Sequence, residues 1–131
     1  MNLTVIGSVA LDTIETPNAV KKDILGGSAT YASFSASFFS PINIISVVGR
    51  DFPDKYSKML RSRGVNTDGL AVKDGRTFRW KARYDENLSH ATPLDPRLGV
   101  FEGFRPEMPR SVGPETNLLL ANIDPELQSY I

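Results

Sequence analysis

The chain of 131 residues has the length of one ordinary domain or of a piece of a larger one, and with 40% hydrophobic and 23% charged residues its composition is globular rather than disordered. Fifteen basic residues balance fifteen acidic ones, which argues against a surface for nucleic acid or anionic membrane. The lack of Cys excludes a disulfide scaffold, a thiolate zinc site and a thiol nucleophile. Without signal-peptide features or an apolar run of ~20 residues, the sequence predicts a soluble, cytoplasmic protein.

The first half of the chain alternates apolar runs with helical segments. "LTVIGSVALD" begins as a β-branched strand, and residues 42–49 form an apolar run typical of a parallel strand that is covered on both faces. Residues 28–39 are small or aromatic and uncharged, which predicts a helix buried on most sides. A charged helix follows and ends at Gly64. This order predicts an α/β crossover unit.

A turn signal divides the next segment. Asp74-Gly75 lies between two strand-like runs, and this dipeptide predicts a β-hairpin. The second arm alternates, with Phe78, Trp80 and Tyr84 on one face and charged residues, including Arg79, on the other. We therefore expect a half-exposed antiparallel hairpin in which Arg79 faces solvent.

The last third of the chain predicts a long connection and one more strand. Residues 86–115 are rich in Pro, Gly and polar groups, which indicates an extended connection with a short strand at 100–104. Residues 116–124 predict another buried strand, and Pro125 suits the first position of a helix.

Two short features carry candidate chemistry by themselves. Asp12 follows the first strand near its carboxyl end, where open α/β sheets bind ligands, and a carboxylate there can accept hydrogen bonds from two hydroxyls; a turn or cap role is the alternative. Gly26-Gly27 precedes a helix, where the backbone can approach a ligand closely; a plain tight turn is the alternative. Their spacing matches neither a dinucleotide fingerprint nor a P-loop.

Four segments in order resemble the ribokinase-like (PfkB-type) carbohydrate and nucleoside kinases. "VIGSVALDTI" resembles the first strand with its substrate-binding aspartate, and "ILGGSATYAS" resembles the N-terminal di-glycine motif. "NIISVVGRDFPDKYSKMLRSRGVNTDGL" resembles the following strand, G-x-D stretch and helix, although it lacks the second glycine of that stretch. "NLLLANIDPEL" resembles the later core strand that ends beside the sugar. The resemblance spans nearly the whole chain.

The resemblance implies an α/β fold of three layers, α/β/α and Rossmann-like, with a small β-sheet lid over the substrate. Residues 1–131 would be the N-terminal portion of one such domain, with lid elements at about 11–24 and 70–85. The ATP-binding and catalytic C-terminal half, with its anion-hole glycines and catalytic aspartate, has no counterpart in these residues.

The resemblance also implies residues that contact substrate. Asp12 would hold substrate hydroxyls, while Gly26 and Gly27 would let the backbone approach the sugar. Asn122 and Asp124 would lie beside the substrate, although an aspartate directly before a proline equally fits a helix N-cap.

Three aromatic residues complete the implied site. Phe78 and Trp80 would cover the substrate from the lid or form the packing face of the lid. Tyr31 stands where relatives commonly carry a sugar-binding asparagine, which favours a substrate with a flat or apolar part.

The implied function is the substrate-binding and lid half of an ATP-dependent sugar kinase, which transfers the γ-phosphoryl group of ATP to a sugar hydroxyl. The intact parent would use ATP and Mg²⁺, this chain alone would be inactive, and neither a catalytic base nor a metal ligand is assigned in it. A non-catalytic sugar- or nucleoside-binding module is one alternative, and an interaction fragment that pairs through its sheet edge is another. A homodimer through the lid or the exposed sheet edge is a further expectation.

Overall fold

A computed structural model describes residues 2–131, which form two four-stranded sheets and three α-helices. In chain order the elements are β1 (Leu3–Ile6), β2 (Ala10–Thr16), β3 (Ala19–Gly26), α1 (Ser28–Ala36), β4 (Ile42–Gly49), α2 (Asp54–Ser62), β5 (Val65–Lys73), β6 (Phe78–Tyr84), β7 (Ala91–Pro93), a 3₁₀ turn (Gly99–Phe101), β8 (Asn117–Leu120) and α3 (Pro125–Tyr130). Within residues 2–131, no helix combines the length and the apolar character that crossing a membrane requires.

The first sheet, here called the parallel sheet, has the strand order β5-β4-β1-β8, and all its neighbouring strands run parallel. Its central strands are apolar on both faces, as the sequence predicts. Val5 and Ile44 pack against α1 and α2 on one face, while Ile6 and Ile45 pack against Phe104 and α3 on the other. Burial of one such side chain contributes roughly 1.5–3 kcal/mol, so this sheet holds the core.

The second sheet, here called the mixed sheet, has the order β3-β2-β6-β7. β2 and β3 form an antiparallel hairpin, β6 runs parallel to β2, and β7 pairs antiparallel with β6. The combination of a parallel sheet between helices and a smaller sheet beside it confirms the predicted α/β class.

The predicted hairpin at Asp74-Gly75 is wrong, because its two arms lie in different sheets. β5 pairs with β4, where Val65 is buried opposite Ile42, whereas β6 pairs with β2 and β7. The dipeptide still forms a turn, with Gly75 at a positive φ of 127°, but the turn leads from one sheet to the other. Of the expected second lid segment, residues 70–73 therefore belong to the parallel sheet, and β6 alone reaches the mixed sheet.

The long connection also differs from the prediction. The expected strand at 100–104 is a 3₁₀ turn, and the connection contains β7, which pairs with β6 although its residues are exposed. Backbone pairing rather than apolar burial forms this strand, so its composition did not reveal it.

Two segments that were predicted to be buried, residues 28–39 and the strand at 116–124, are partly exposed. α1 ends at Ala36, and beyond it the side chain of Phe39 is 91% exposed, so the segment is not buried on most sides. Leu118 and Leu119 of β8 are also exposed. β8 is an edge strand of the parallel sheet with β1 on one side alone, which explains their exposure.

Candidate functional site

A cavity of about 410 Å³ lies between the two sheets, beside the carboxyl ends of β1 and β8. Every predicted site residue except Gly26 lines it: Asp12, Gly27, Tyr31, Phe78, Trp80, Asn122 and Asp124. These residues come from four separate stretches of the chain, and the carboxyl edge of a parallel sheet is where open α/β folds bind ligands. A second cavity of about 620 Å³ adjoins it at Phe101 and Asp124 and borders α3.

Asp12 lies in β2 and is 9% exposed. Its Oδ1 atom is buried and has no hydrogen-bond partner among the described residues. Burial raises the pKa of Asp12 to about 6. Buried acceptors are normally satisfied, so this oxygen is suited to accept a hydrogen bond from a ligand hydroxyl.

The di-glycine turn brings α1 against this carboxylate. A side chain at Gly26 would collide with the Asp12 carboxylate, and one at Gly27 would collide with the carbonyl of Ser8. Gly27 also has a positive φ of 98°, which side chains other than glycine rarely adopt. Gly26 therefore lies directly against the Asp12 carboxylate, and Gly27 lines the cavity.

A pair of serines ties three elements together at this turn. The Ser28 N–H donates to Ser8 Oγ at 3.0 Å, the Ala29 N–H donates to the Ser8 carbonyl at 2.9 Å, and the Ser28 hydroxyl donates to the Asn122 carbonyl at 3.2 Å. Because Ser8 occupies these first N–H groups of α1, they are not offered to a phosphate. Sequence reasoning missed this pair; a serine after a strand and another at a helix start were the available signal.

Asp124 caps α3, as one of its two predicted roles requires, and it also lies at the cavity. Its Oδ1 accepts the Glu126 N–H at 2.8 Å and caps α3, and the residue also lines the cavity. Asn122 is exposed at the cavity, and its carbonyl is held by Ser28. The segment after β8 thus presents polar groups opposite Asp12.

Aromatic side chains form the rest of the cavity wall. Phe78 stacks on Phe101 with ring centroids 5.7 Å apart, and Trp80 lies two residues along the same strand. Tyr31 is 58% exposed, and partial burial, followed by the charges of Asp12 and Tyr84, raises its pKa. Phe101 was not predicted as a site residue, since its loop carries no recognisable pattern. The wall combines flat apolar surfaces with the carboxylates of Asp12 and Asp124.

Arg79 departs from the prediction of a solvent-facing residue. Its side chain is 27% exposed, it pairs with Asp51 at 2.9 Å, and it also pairs with Asp23. Partial burial tends to raise the pKa of Asp51, but hydrogen bonds from Thr77 and Arg79 outweigh it and hold that pKa below its usual value. Alternation correctly separated Arg79 from Phe78 and Trp80, but it could not show that another segment covers the charged face.

The part of the chain that the structure describes offers neither a metal site nor a free helix N-terminus at the di-glycine turn. Within residues 2–131, no cluster of three or more His, Asp or Glu side chains is placed to hold a metal ion. The N–H groups of Ser28 and Ala29 at the start of α1 are bonded to Ser8, so this turn does not fit a triphosphate.

The chain is similar to kinases of known fold. No protein-family model matches the chain. The chain is 27% identical over 103 residues to the cytidine kinase of Thermococcus kodakarensis, an alignment that covers 78% of this chain and 36% of that protein.

Three solved structures share the architecture. The ribokinase of Cryptococcus neoformans, solved with ADP, has a TM-score of 0.73 at 22% identity and covers 91% of this chain. The nucleoside kinase of Methanocaldococcus jannaschii has a TM-score of 0.64 at 18% identity and covers 96% of this chain. The nucleoside kinase of Burkholderia thailandensis, solved with inosine, has a TM-score of 0.66 at 15% identity and covers 74% of this chain.

The matched relatives are longer than this chain. The chain covers 40% of the Cryptococcus structure, 46% of the Methanocaldococcus structure and 36% of the Burkholderia structure. The predicted resemblance is therefore confirmed: the chain has the fold of the N-terminal portion of the ribokinase-like carbohydrate and nucleoside kinases.

Proposed function

We propose that this chain is the substrate-binding portion of an ATP-dependent kinase that transfers the γ-phosphoryl group of ATP to a hydroxyl of a ribose-containing substrate. The observation that carries the proposal is the convergence of Asp12, Gly27 and Asp124 on one cavity at the carboxyl edge of the parallel sheet. The relatives with the same fold are named ribokinases and nucleoside kinases, which supports this class of acceptor.

Within that class, the cavity favours a nucleoside over a free sugar. A carboxylate with an unfilled acceptor suits a ribose diol, while Tyr31, Trp80 and Phe101 offer flat surfaces for a base. A volume of about 410 Å³ is of the size that ligand pockets occupy. The Thermococcus relative is named a cytidine kinase, and the Burkholderia relative was solved with inosine.

In this proposal the residues of the chain bind and orient the acceptor. The ionised Asp12 accepts hydrogen bonds from two neighbouring hydroxyls, and the aromatic wall excludes water from the other side. Holding the acceptor in one orientation decides which hydroxyl meets the phosphoryl donor, and such positioning is a large part of phosphoryl-transfer catalysis. The proposal assigns ATP, Mg²⁺ and the catalytic base to the rest of the parent protein. It assigns to the mixed sheet the role of a lid.

Trp80 provides the direct test, because it is the one tryptophan of the chain and lines the cavity. Titration with cytidine, inosine and ribose is expected to change the Trp80 emission saturably, with tighter binding of the two nucleosides. Asp12→Asn should weaken cytidine binding by about 10- to 100-fold, the value of a charged hydrogen-bond acceptor. Asp68→Asn, a matched change at an exposed position of β5, should leave binding unchanged.

Two results would overturn the proposal. One is a Trp80 emission that no nucleoside or sugar changes, and the other is an Asp12→Asn variant that binds cytidine as well as the unaltered chain. Phosphoryl transfer itself is measured with the parent protein, ATP and the ligand that binds most tightly.

The proposed homodimer remains a prediction. Size-exclusion chromatography with light scattering would detect it, and a mass of 14.4 kDa at all concentrations would exclude it for this chain.

A further inference from the structure

The segment that leads from β5 to β6 crosses between the two sheets and is fastened by polar groups. Thr77, which is 1% exposed, donates to Asp51 Oδ1 from its N–H at 2.8 Å and from its hydroxyl at 2.7 Å. The Gly49 N–H, at the end of β4, donates to Thr77 Oγ1 at 3.0 Å. The crossing is thereby attached to the parallel sheet.

Arg79 connects this attachment to the far edge of the mixed sheet. Its Nη2 donates to Asp51 Oδ2 at 2.9 Å, and its Nη1 donates to Asp23. Asp23 belongs to β3, has a positive φ of 52° and lies where the register between β2 and β3 shifts. The Tyr56 hydroxyl of α2 holds the carbonyl of Asp23 at 2.7 Å. One guanidinium thus bridges the parallel sheet and the irregular part of β3.

The neighbours of Arg79 in β6 are the aromatic residues of the cavity. Phe78 precedes it and Trp80 follows it, and both line the cavity on the opposite face of the strand. The backbone of Arg79 also exchanges two hydrogen bonds of 2.8 Å with Arg97, directly before Leu98, which lines the cavity too. The placement of residue 79 therefore sets the placement of two parts of the cavity wall.

We propose that Arg79 is a positioning residue for the substrate cavity: by bridging Asp51 and Asp23, it holds the mixed sheet, in which Asp12 and Trp80 lie side by side on paired strands, at a set distance from the parallel-sheet side of the cavity. The inference rests on the proposed function of the cavity. Arg79 touches no substrate in this arrangement and acts through the mixed sheet. Small displacements of a binding wall have large effects on affinity, so loss of the bridge should loosen the site without removing a ligand contact.

Ligand-free protein provides the first test, which is independent of the proposed function. In Arg79→Met, acrylamide should quench Trp80 more efficiently, by roughly two-fold, because a loosened wall admits the quencher. Arg83→Met is the matched control, since Arg83 also lies on β6 but pairs with Glu15 inside the mixed sheet, and its quenching should stay as in the unaltered chain.

Binding provides the second test. Arg79→Met should weaken cytidine binding by about ten-fold, whereas Arg83→Met should not. Arg79→Lys should recover only part of the lost cytidine affinity. A lysine ammonium cannot reproduce the planar guanidinium, whose two terminal nitrogens pair with Asp51 and Asp23. Asp51→Asn should reproduce the loss, and the double variant with Arg79→Met should be no worse than either single one.

The outcomes separate the two proposals. Equal quenching and equal binding in Arg79→Met and Arg83→Met would overturn the positioning role. If cytidine binds none of the proteins, the proposed function fails, and the quenching comparison still decides the role of Arg79. If Arg79→Met does not fold, Arg79→Lys and Asp51→Asn decide it by the same two measurements.

Discussion

The two sheets of this chain differ in composition and burial: the parallel sheet is apolar and buried at its centre, whereas the mixed sheet is partly exposed and carries ion pairs. The central strands of the parallel sheet are apolar, and Val5, Ile44 and Val47 have no exposed surface. The mixed sheet has an exposed β7 and an exposed first half of β3, and its strands are crossed by the ion pairs Glu15–Lys81 and Arg79–Asp23. Apolar burial supplies most of the stability of a domain, whereas exposed ion pairs supply little. The parallel sheet therefore maintains the fold, and the mixed sheet places the side chains of the cavity.

Truncation in the parallel sheet should have the largest effect on stability. Ile44→Ala is expected to lower the free energy of unfolding by about 4 kcal/mol, because it leaves a cavity between β4 and α1 or α2. Urea unfolding followed by circular dichroism measures it. Val20→Ala on the exposed half of β3 is the control in the mixed sheet, and equal losses in the two variants would contradict the contrast.

The second largest loss of stability is expected at Gly27, in the turn between β3 and α1. Gly27→Ala places a side chain at a φ of 98° and against the Ser8 carbonyl, so we expect a loss of about 3 kcal/mol in unfolding free energy. Gly113→Ala has open space around it and should change little. If the two substitutions cost the same in a thermal melt, the close approach of α1 to β1 is not a constraint on folding.

Substitution of Asp12 should raise the free energy of unfolding rather than lower it, because a buried carboxylate with an unpartnered oxygen destabilises the folded chain. Burial raises its pKa from 3.8 to about 6, so the folded chain binds more protons than the unfolded chain between these values. The free energy of unfolding should therefore fall as pH rises from about 4 to about 6, by roughly 2 kcal/mol, and then level off. Asp12→Asn should lack this decrease and be more stable than the unaltered chain at neutral pH.

Ionisation of Asp12 should strengthen ligand binding although it lowers the stability of the folded chain. The ionised carboxylate accepts two hydrogen bonds from a diol, so cytidine affinity should rise with pH and level off above about 6. Fluorescence titration across this range measures it. An affinity that does not change with pH would show that Asp12 does not hold the ligand.

The smallest effect is expected within the mixed sheet itself. Glu15 pairs with Lys81 at 2.7 Å and with Arg83 at 3.0 Å near the surface. Glu15→Gln should leave the thermal midpoint unchanged within error, because such pairs contribute little in water. A clear loss in low salt that disappears in high salt would show instead that this sheet depends on its ion pairs.

Much of this architecture is predictable because it depends on apolar patterning. The runs around Val5 and Ile44 predicted parallel strands, and Gly64 marked the end of α2, as observed. The prediction failed at Asp74-Gly75, where local turn geometry is correct but the partners of the two strands are set by distant β4 and β2. A turn signal describes four residues and carries no information about which sheet each arm joins.

Some residues of the candidate site could be predicted from the sequence, and others could not. That Asp12, Gly27 and Asp124 come together at one cavity could be predicted, since their residue types and order resemble a known motif set. Phe101 and the Ser8–Ser28 pair were not, because single residues of common type gain a role only when other segments lie beside them.

The sequence by itself determined the strands of the core, the flexible turn before α1 and the presence of a carboxylate near the end of β1, since each follows from local burial or backbone freedom. The tertiary structure decided that Asp12 is buried with an unpartnered oxygen, that Arg79 bridges two sheets, and that aromatic residues far apart in the chain share one cavity. Desolvation and ion pairing depend on which surfaces meet, and that information appears only when the chain is folded.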